Sequence, residues 1–147
     1  IIISTTGKCS RELFELRAMR NSDHSNDFLT VGSMGHTSSI ALGISLFSDR
    51  QIYCIDGDGS FIMHMGAAAI NAVNCGNNFK YIIINNGVHE SVGGQPTVAF
   101  DIDIPEILLK CGFANVCTAL NEAEIKEGIK FLKNNNKSAM VIYVKQG

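Results

Sequence analysis

Apolar residues along this chain gather into short runs, separated by polar turns and by longer segments of helical composition. The runs at 1–3, 28–31, 51–55, 79–84, 114–117 and 139–144 predict strands, the last an unbroken apolar stretch of the kind covered on both faces. Between them, 10–20 carries Leu13, Phe14 and Leu16 on or near one helical face. The segment 36–47 is rich in small residues (Ser38, Ser39, Ala41, Gly43) and predicts a helix lying close to a sheet. A crossover helix runs from Ser60 to Cys75, with Gly76 in the C′ position. Asp103 caps a helix that has Pro105 in its first turn and ends at Gly112. Asn121 with Glu124 three residues on opens the last helix, which runs to about Leu132. This alternation predicts an α/β fold: an open, mostly parallel, doubly wound sheet of about five or six strands with helices on both faces. Ligands of such sheets bind outside the carboxyl ends of the strands.

The chain is organised around 51–87, a strand, crossover helix and strand whose two strands each end in a polar, glycine-bearing turn. The first turn, Asp56-Gly57-Asp58-Gly59-Ser60, has two glycines around a carboxylate, so the backbone can approach a ligand closely while Asp58 points at it. Ser60 opens a helix whose free N–H groups favour a phosphate oxygen. Asp58 and a phosphate repel unless a divalent cation lies between them, and Mg²⁺ suits a site with few protein oxygens. The second turn, Asn85-Asn86-Gly87, brings neutral oxygen donors to the same edge. Together they imply Mg²⁺ plus a diphosphate.

At 147 residues and 46% hydrophobic content the chain fits a single domain with a real core. Its net charge of −2 offers no basic stripe for nucleic acid. No apolar run approaches the roughly 20 residues of a membrane helix. The five cysteines follow no C-x-x-C spacing and read as buried free thiols in a reducing cytoplasm. The absence of an initiator Met reads as the C-terminal part of a longer enzyme. Thr5-Thr6-Gly7-Lys8 is not a P-loop, because Cys9 stands where Ser or Thr is needed; His89-Glu90 is not a zinc-protease start, because Gly93 stands where the second His is needed. Two adjacent glycines and a proline make 88–97 a shaped loop beside the central turn.

Gly57-Asp58-Gly59-Ser60, followed 28 positions after Asp58 by Asn86, resembles the metal-diphosphate motif of thiamine-diphosphate enzymes. The resemblance implies a thiamine-diphosphate-binding fold, with Mg²⁺ held by Asp58, Asn86 and the Val88 carbonyl. Gly32-Ser33-Met34-Gly35 is similar to a segment of the family's decarboxylases. It implies that the Gly32 carbonyl accepts from the aminopyrimidine and that Met34 wedges beneath the cofactor, with Ser33 and His89 beside it. The stretch 31–36, Met63-His64-Met65-Gly66 and 85–97 with its Gly-Gly-Gln-Pro-Thr resemble the family's phosphonopyruvate decarboxylases, and next to them the β chains of its sulfopyruvate decarboxylases. His36, His64 and His89 are the candidates for meeting a phosphonate, which needs more cationic or donor groups than a sulfonate.

In this family the activating glutamate comes from a separate pyrimidine-binding domain, of the same or a partner chain. The resemblance therefore implies a cytoplasmic homo-oligomer acting on a small 2-keto acid, and an isolated chain without activity. A non-catalytic binding module of the same fold is the competing reading. A plain nucleotide-binding domain is not supported, because position 62 is Ile where a G-x-G-x-x-G fingerprint needs glycine.

Overall fold

The computed structural model describes residues 1–146. Its strands are β1 (Ile2–Ser4), β2 (Asp27–Leu29), β3 (Ile52–Gly57), β4 (Phe79–Asn85), β5 (Val88–His89), β6 (Gln95–Pro96), β7 (Asn115–Ala119) and β8 (Ser138–Tyr143). Its helices are α1 (Lys8–Met19), α2 (Thr37–Leu46), α3 (Asp58–Met63), α4 (Ala67–Asn74), α5 (Ile104–Cys111) and α6 (Glu122–Asn134). Six strands form one sheet in the order β2-β1-β3-β4-β8-β7, every neighbouring pair parallel. β5 and β6 form a separate antiparallel ribbon within the shaped loop.

The sheet is buried on both faces, and its strands show why. Side chains of a strand alternate between faces. Along β4, Tyr81 and Ile83 join the core beneath α2, α4 and α5, whereas Ile82 joins the core beneath α6. β8 divides in the same way, with Ala139 and Val141 on one side and Met140 and Ile142 on the other. The charged residue inside β4 is accommodated by carbonyls: Lys80 donates to Asn77 O at 3.1 Å and to Asn135 O, and burial lowers its pKa.

The predicted crossover helix is two helices. It breaks at 64–66, so α3 is a short segment of its own between β3 and α4. It also begins at Asp58 rather than Ser60, which places Ser60 inside the first turn. Gly76 follows the C-cap, Cys75, without a left-handed backbone. A Cβ there would stand 2.5 Å from Asn78 Oδ1, so close approach is its use. The caps at Asp103 and Asn121 form: each side chain accepts the N–H three residues on, at 3.0 Å. Glu124 reaches back to the Leu120 N–H at 2.7 Å.

Two substitutions separate packing from capping. Leu132→Ala removes a fully buried side chain from the α6 core and is expected to cost about 2–5 kcal/mol. Asn121→Ala removes one cap and is expected to cost about 1 kcal/mol. Denaturant midpoints of the two variants measure the difference.

Candidate functional site

Strand order reverses beside β1, since β2 lies on one side of it and β3 on the other. The crevice of an open α/β sheet lies at such a point. Here the carboxyl ends of β1, β3 and β4 open into a cleft with about 520 Å³ of empty space. Thr5, Thr6, Lys8 and Cys9 line it from beyond β1, and Gly57, Asp58, Gly59 and Ser60 from beyond β3. Asn86, Val88, His89, Glu90 and Ser91 enter from beyond β4, and Met34 from the loop before α2.

Asp58, the first residue of α3, is 2% exposed, and its Oδ2 accepts from Thr97 Oγ1 at 2.5 Å. The two asparagines after β4 have different tasks. Asn85 is fully buried and braces the turn, accepting from Gly87 N at 3.1 Å and donating to Ala99 O at 3.4 Å. Asn86 faces the cleft: its Oδ1 accepts from Val88 N at 3.1 Å and its Nδ2 donates to Glu90 Oε2 at 3.0 Å. Val88 stands opposite Pro96 next to the pair in which Thr97 N donates to Gly87 O at 2.8 Å, a position where antiparallel partners exchange no hydrogen bond.

The two glycines around Asp58 contribute room rather than unusual dihedrals. Gly57 is extended at φ −101° and ψ 158°, and a Cβ on it would meet nothing within 4 Å. A Cβ on Gly59 would stand 2.5 Å from the His89 ring and 3.4 Å from the Met34 methyl, so both side chains close directly over the first turn of α3. Ser60 binds three loops together. Its Oγ accepts from Gly35 N at 3.0 Å and from Thr5 Oγ1 at 3.2 Å.

Under this floor lies Asp56, 1% exposed, whose Oδ2 accepts from Tyr81 Oη at 2.9 Å. Burial raises its pKa above the ordinary carboxylate value, against hydrogen bonds from Ser60, Tyr81, Gly57 and Thr5 that favour the anion. The thiol of Cys9, beside the cleft, is pushed up to about 11 by burial and by the nearby carboxylates of Asp56, Glu12 and Asp58. Cys9 is therefore protonated at neutral pH and is no nucleophile. All five cysteines are free, but only Cys54 and Cys75 are buried; Cys9, Cys111 and Cys117 are half-buried.

Of the residues singled out in the sequence, the cleft gathers Met34, Gly57, Asp58, Gly59, Ser60, Asn86, Val88 and His89. Gly32, Ser33, His36 and His64 stand outside its lining and are exposed. His36 and His64 lie against each other, ring centroids 4.3 Å apart. Sequence reasoning missed Thr5, Thr6, Lys8, Glu90 and Thr97 as site residues. The strand order at β1 was the signal that would have found the first three.

Among the described residues no three of His, Cys, Asp and Glu gather as a metal cage. A cation here would have one carboxylate, one amide oxygen and one carbonyl. That donor set suits Mg²⁺, which keeps its other positions for water and phosphate. Fold and cleft thus define an open parallel α/β domain with a polar cleft at the carboxyl edge of its sheet.

The family description "Thiamine pyrophosphate enzyme, C-terminal TPP binding domain" matches residues 5–144, and the chain belongs to that family. Thiamine pyrophosphate is thiamine diphosphate under its other name. The chain is 37% identical over 123 residues to a phosphonopyruvate decarboxylase of Streptomyces viridochromogenes, covering 82% of this chain and 30% of that protein. It is 32% identical over 143 residues to the β subunit of sulfopyruvate decarboxylase from Methanocaldococcus jannaschii, covering 97% of this chain and 73% of the relative. The chain thus spans about 30% of the length of the phosphonopyruvate decarboxylases it matches. In fold it is similar to 2-oxoglutarate:ferredoxin oxidoreductase from Magnetococcus marinus, with a TM-score of 0.75 at 18% identity over 99% of this chain and 54% of that one. It is also similar to the thiamine diphosphate-dependent 4-hydroxybenzoylformate decarboxylase of Rhodococcus jostii, at 0.56 and 21% over 86% and 26%. Among the described residues no helix is long and apolar enough to cross a membrane.

Asp56 makes stability depend on pH. Its raised pKa means that the folded chain keeps a proton the unfolded chain has already released. The contribution of this group to stability is then fully present below the ordinary carboxylate pKa and is lost as pH rises, until the folded value is passed. Unfolding free energies measured across pH are expected to fall by at most about 1.4 kcal/mol per pH unit for this one proton. Asp56→Asn flattens that slope.

Proposed function

We propose that this domain supplies the diphosphate and Mg²⁺ half of an active site that decarboxylates phosphonopyruvate to phosphonoacetaldehyde and CO₂. The observation that carries the reading is the convergence of Asp58, Asn86 and Val88 on one cleft, with Met34 and His89 closing over Gly59. The named activity of the Streptomyces relatives supports the substrate. Bound thiamine diphosphate supplies the carbanion chemistry and electron sink that loss of CO₂ from a 2-keto acid requires.

The protein's part is position and charge. Asp58, steadied by Thr97, would hold the cation together with the Asn86 amide oxygen and the Val88 carbonyl. The cation would in turn hold the diphosphate against the first turn of α3. Ser60 keeps that turn in register with the β1 end and with the loop carrying Met34. Glu90, the acid lining the cleft besides Asp58, is hydrogen-bonded to Lys8 and Asn86, which supports an activating glutamate from a pyrimidine-binding domain of the same or a partner chain. The cofactor lies between the two domains, in a homo-oligomer where the second domain belongs to a neighbouring subunit.

A second reading, the β chain of a sulfopyruvate decarboxylase, is favoured by the Methanocaldococcus relative, 73% of which this chain covers. CO₂ release from phosphonopyruvate, sulfopyruvate and pyruvate by the intact enzyme, with Mg²⁺ and thiamine diphosphate, separates the two. Preference for phosphonopyruvate is expected; preference for sulfopyruvate overturns the substrate assignment, and the domain alone is expected to release none.

The cation assignment has its own test. Asp58→Asn keeps the shape and loses the charge. Calorimetric titration with thiamine diphosphate and Mg²⁺ is expected to show affinity reduced about 100-fold, the scale of losing one charged contact. Unchanged affinity removes Asp58 from the metal site.

A further inference from the structure

A second opening lies at the same edge of the sheet as the cleft. It is a groove with about 600 Å³ of empty space between α1 and the end of β2. Thr6 lines both openings, so the groove meets the cleft at that residue. One wall carries Arg11, Phe14 and Glu15, which share a helical face, and the other carries Leu29, Thr30 and Val31.

The hydroxyls of the groove are already committed as donors. Thr6 Oγ1 donates to Val31 O at 2.8 Å, Thr30 Oγ1 to Ser4 O at 3.0 Å, and Ser10 Oγ to Thr5 O at 2.6 Å. A hydroxyl has a single O–H, so an anion in the groove finds no free donor among them. Among the described residues lining the groove, Arg11 is the sole lysine or arginine. Its side chain is exposed, and among the described residues its guanidinium has no hydrogen-bond or ion-pair partner. Arginine presents five N–H donors in a planar fork that matches an oxyanion bidentately. Arg11 stands about one turn along α1 from Lys8, a cleft residue, and Glu15 stands a turn further on. The cationic part of the groove is therefore its cleft end. The apolar side chains of Phe14, Leu29 and Val31 border the same space and strengthen a charge pair formed beside them.

We infer that Arg11 is the specificity-determining residue for the acidic group on the third carbon of the substrate: its guanidinium receives that oxyanion in the groove while the 2-keto acid end stays in the cleft. The inference rests on the decarboxylase reading given above. A phosphonate or a sulfonate offers the fork two oxygens at once. Pyruvate has only hydrogens on that carbon and forms no such pair, so discrimination comes from a contact that the acidic substrates alone make.

The test compares Arg11→Met, Arg11→Lys and Glu15→Gln in the intact enzyme. KM and kcat are measured with phosphonopyruvate, sulfopyruvate and pyruvate, and calorimetry gives the affinities for thiamine diphosphate with Mg²⁺ and for phosphonoacetate as an inert probe. Arg11→Met is expected to raise KM for phosphonopyruvate and Kd for phosphonoacetate about 10- to 100-fold, the range of a charge-assisted contact. Cofactor affinity and KM for pyruvate keep their wild-type values. Arg11→Lys restores binding in part, because an ammonium keeps the charge and lacks the fork. Glu15→Gln, which removes a carboxylate from the same wall, binds phosphonoacetate at least as tightly as the wild type.

Unchanged KM and Kd in Arg11→Met overturn the inference. So does a loss of cofactor affinity or an equal loss for pyruvate, since α1 would then act only through the shape of the cleft. Where the wild type prefers sulfopyruvate, the phosphonate assignment falls instead; a 10- to 100-fold rise of KM for sulfopyruvate in Arg11→Met keeps the role of Arg11, and no rise overturns it. A wild-type enzyme inert toward all three acids sinks the decarboxylase reading. The phosphonoacetate titration still decides Arg11 in that case, since equal affinity in wild type and Arg11→Met, or no binding to either, overturns its role.

Discussion

Everything at the site depends on β3 being paired in parallel with β1 on one side and β4 on the other. Parallel pairing forces the chain to leave all three strands at the same edge. Three polar turns that are distant in sequence therefore meet there. The hydroxyl of Ser60 makes the meeting rigid, accepting from the β1 turn through Thr5 and from the Met34 loop through Gly35. Thr97 does the same for the far loop through Asp58. The proposed cation site, with one carboxylate and two neutral oxygens, has little charge to spare, so its precision would have to come from this framework.

Much of this was legible in the sequence because the relevant signals are local. The apolar runs gave all six strands of the main sheet within a few residues, and the caps at Asp103 and Asn121 formed as their spacing implies. The break at 64–66 was not legible, since a run rich in Ala and Met is compatible with one continuous helix. Neither Gly57 nor Gly59 has a positive φ, and of the two it is Gly59 whose missing Cβ leaves room, for the His89 ring. The contribution of Thr5, Thr6 and Lys8 was missed for a topological reason. Nothing local to Thr5-Thr6-Gly7-Lys8 states that the order of strands reverses at β1. The segment reaches the cleft because the chain leaves β1 at the same edge as β3 and β4.

Charge ties the buried layer to the exposed one. Asp56 and Asp58 are two residues apart and both buried, but they meet different surroundings. Asp56 lies beneath the floor among Tyr81, Ser60 and Thr5, where low polarity favours its neutral acid. Asp58 lines the cleft, where Thr97 Oγ1 donates to its carboxylate. One carboxyl is turned into the floor and the other lines the cleft, which leaves one of the two to the proposed cation site. The buried aspartate of β3 ties that strand to β4 through Tyr81.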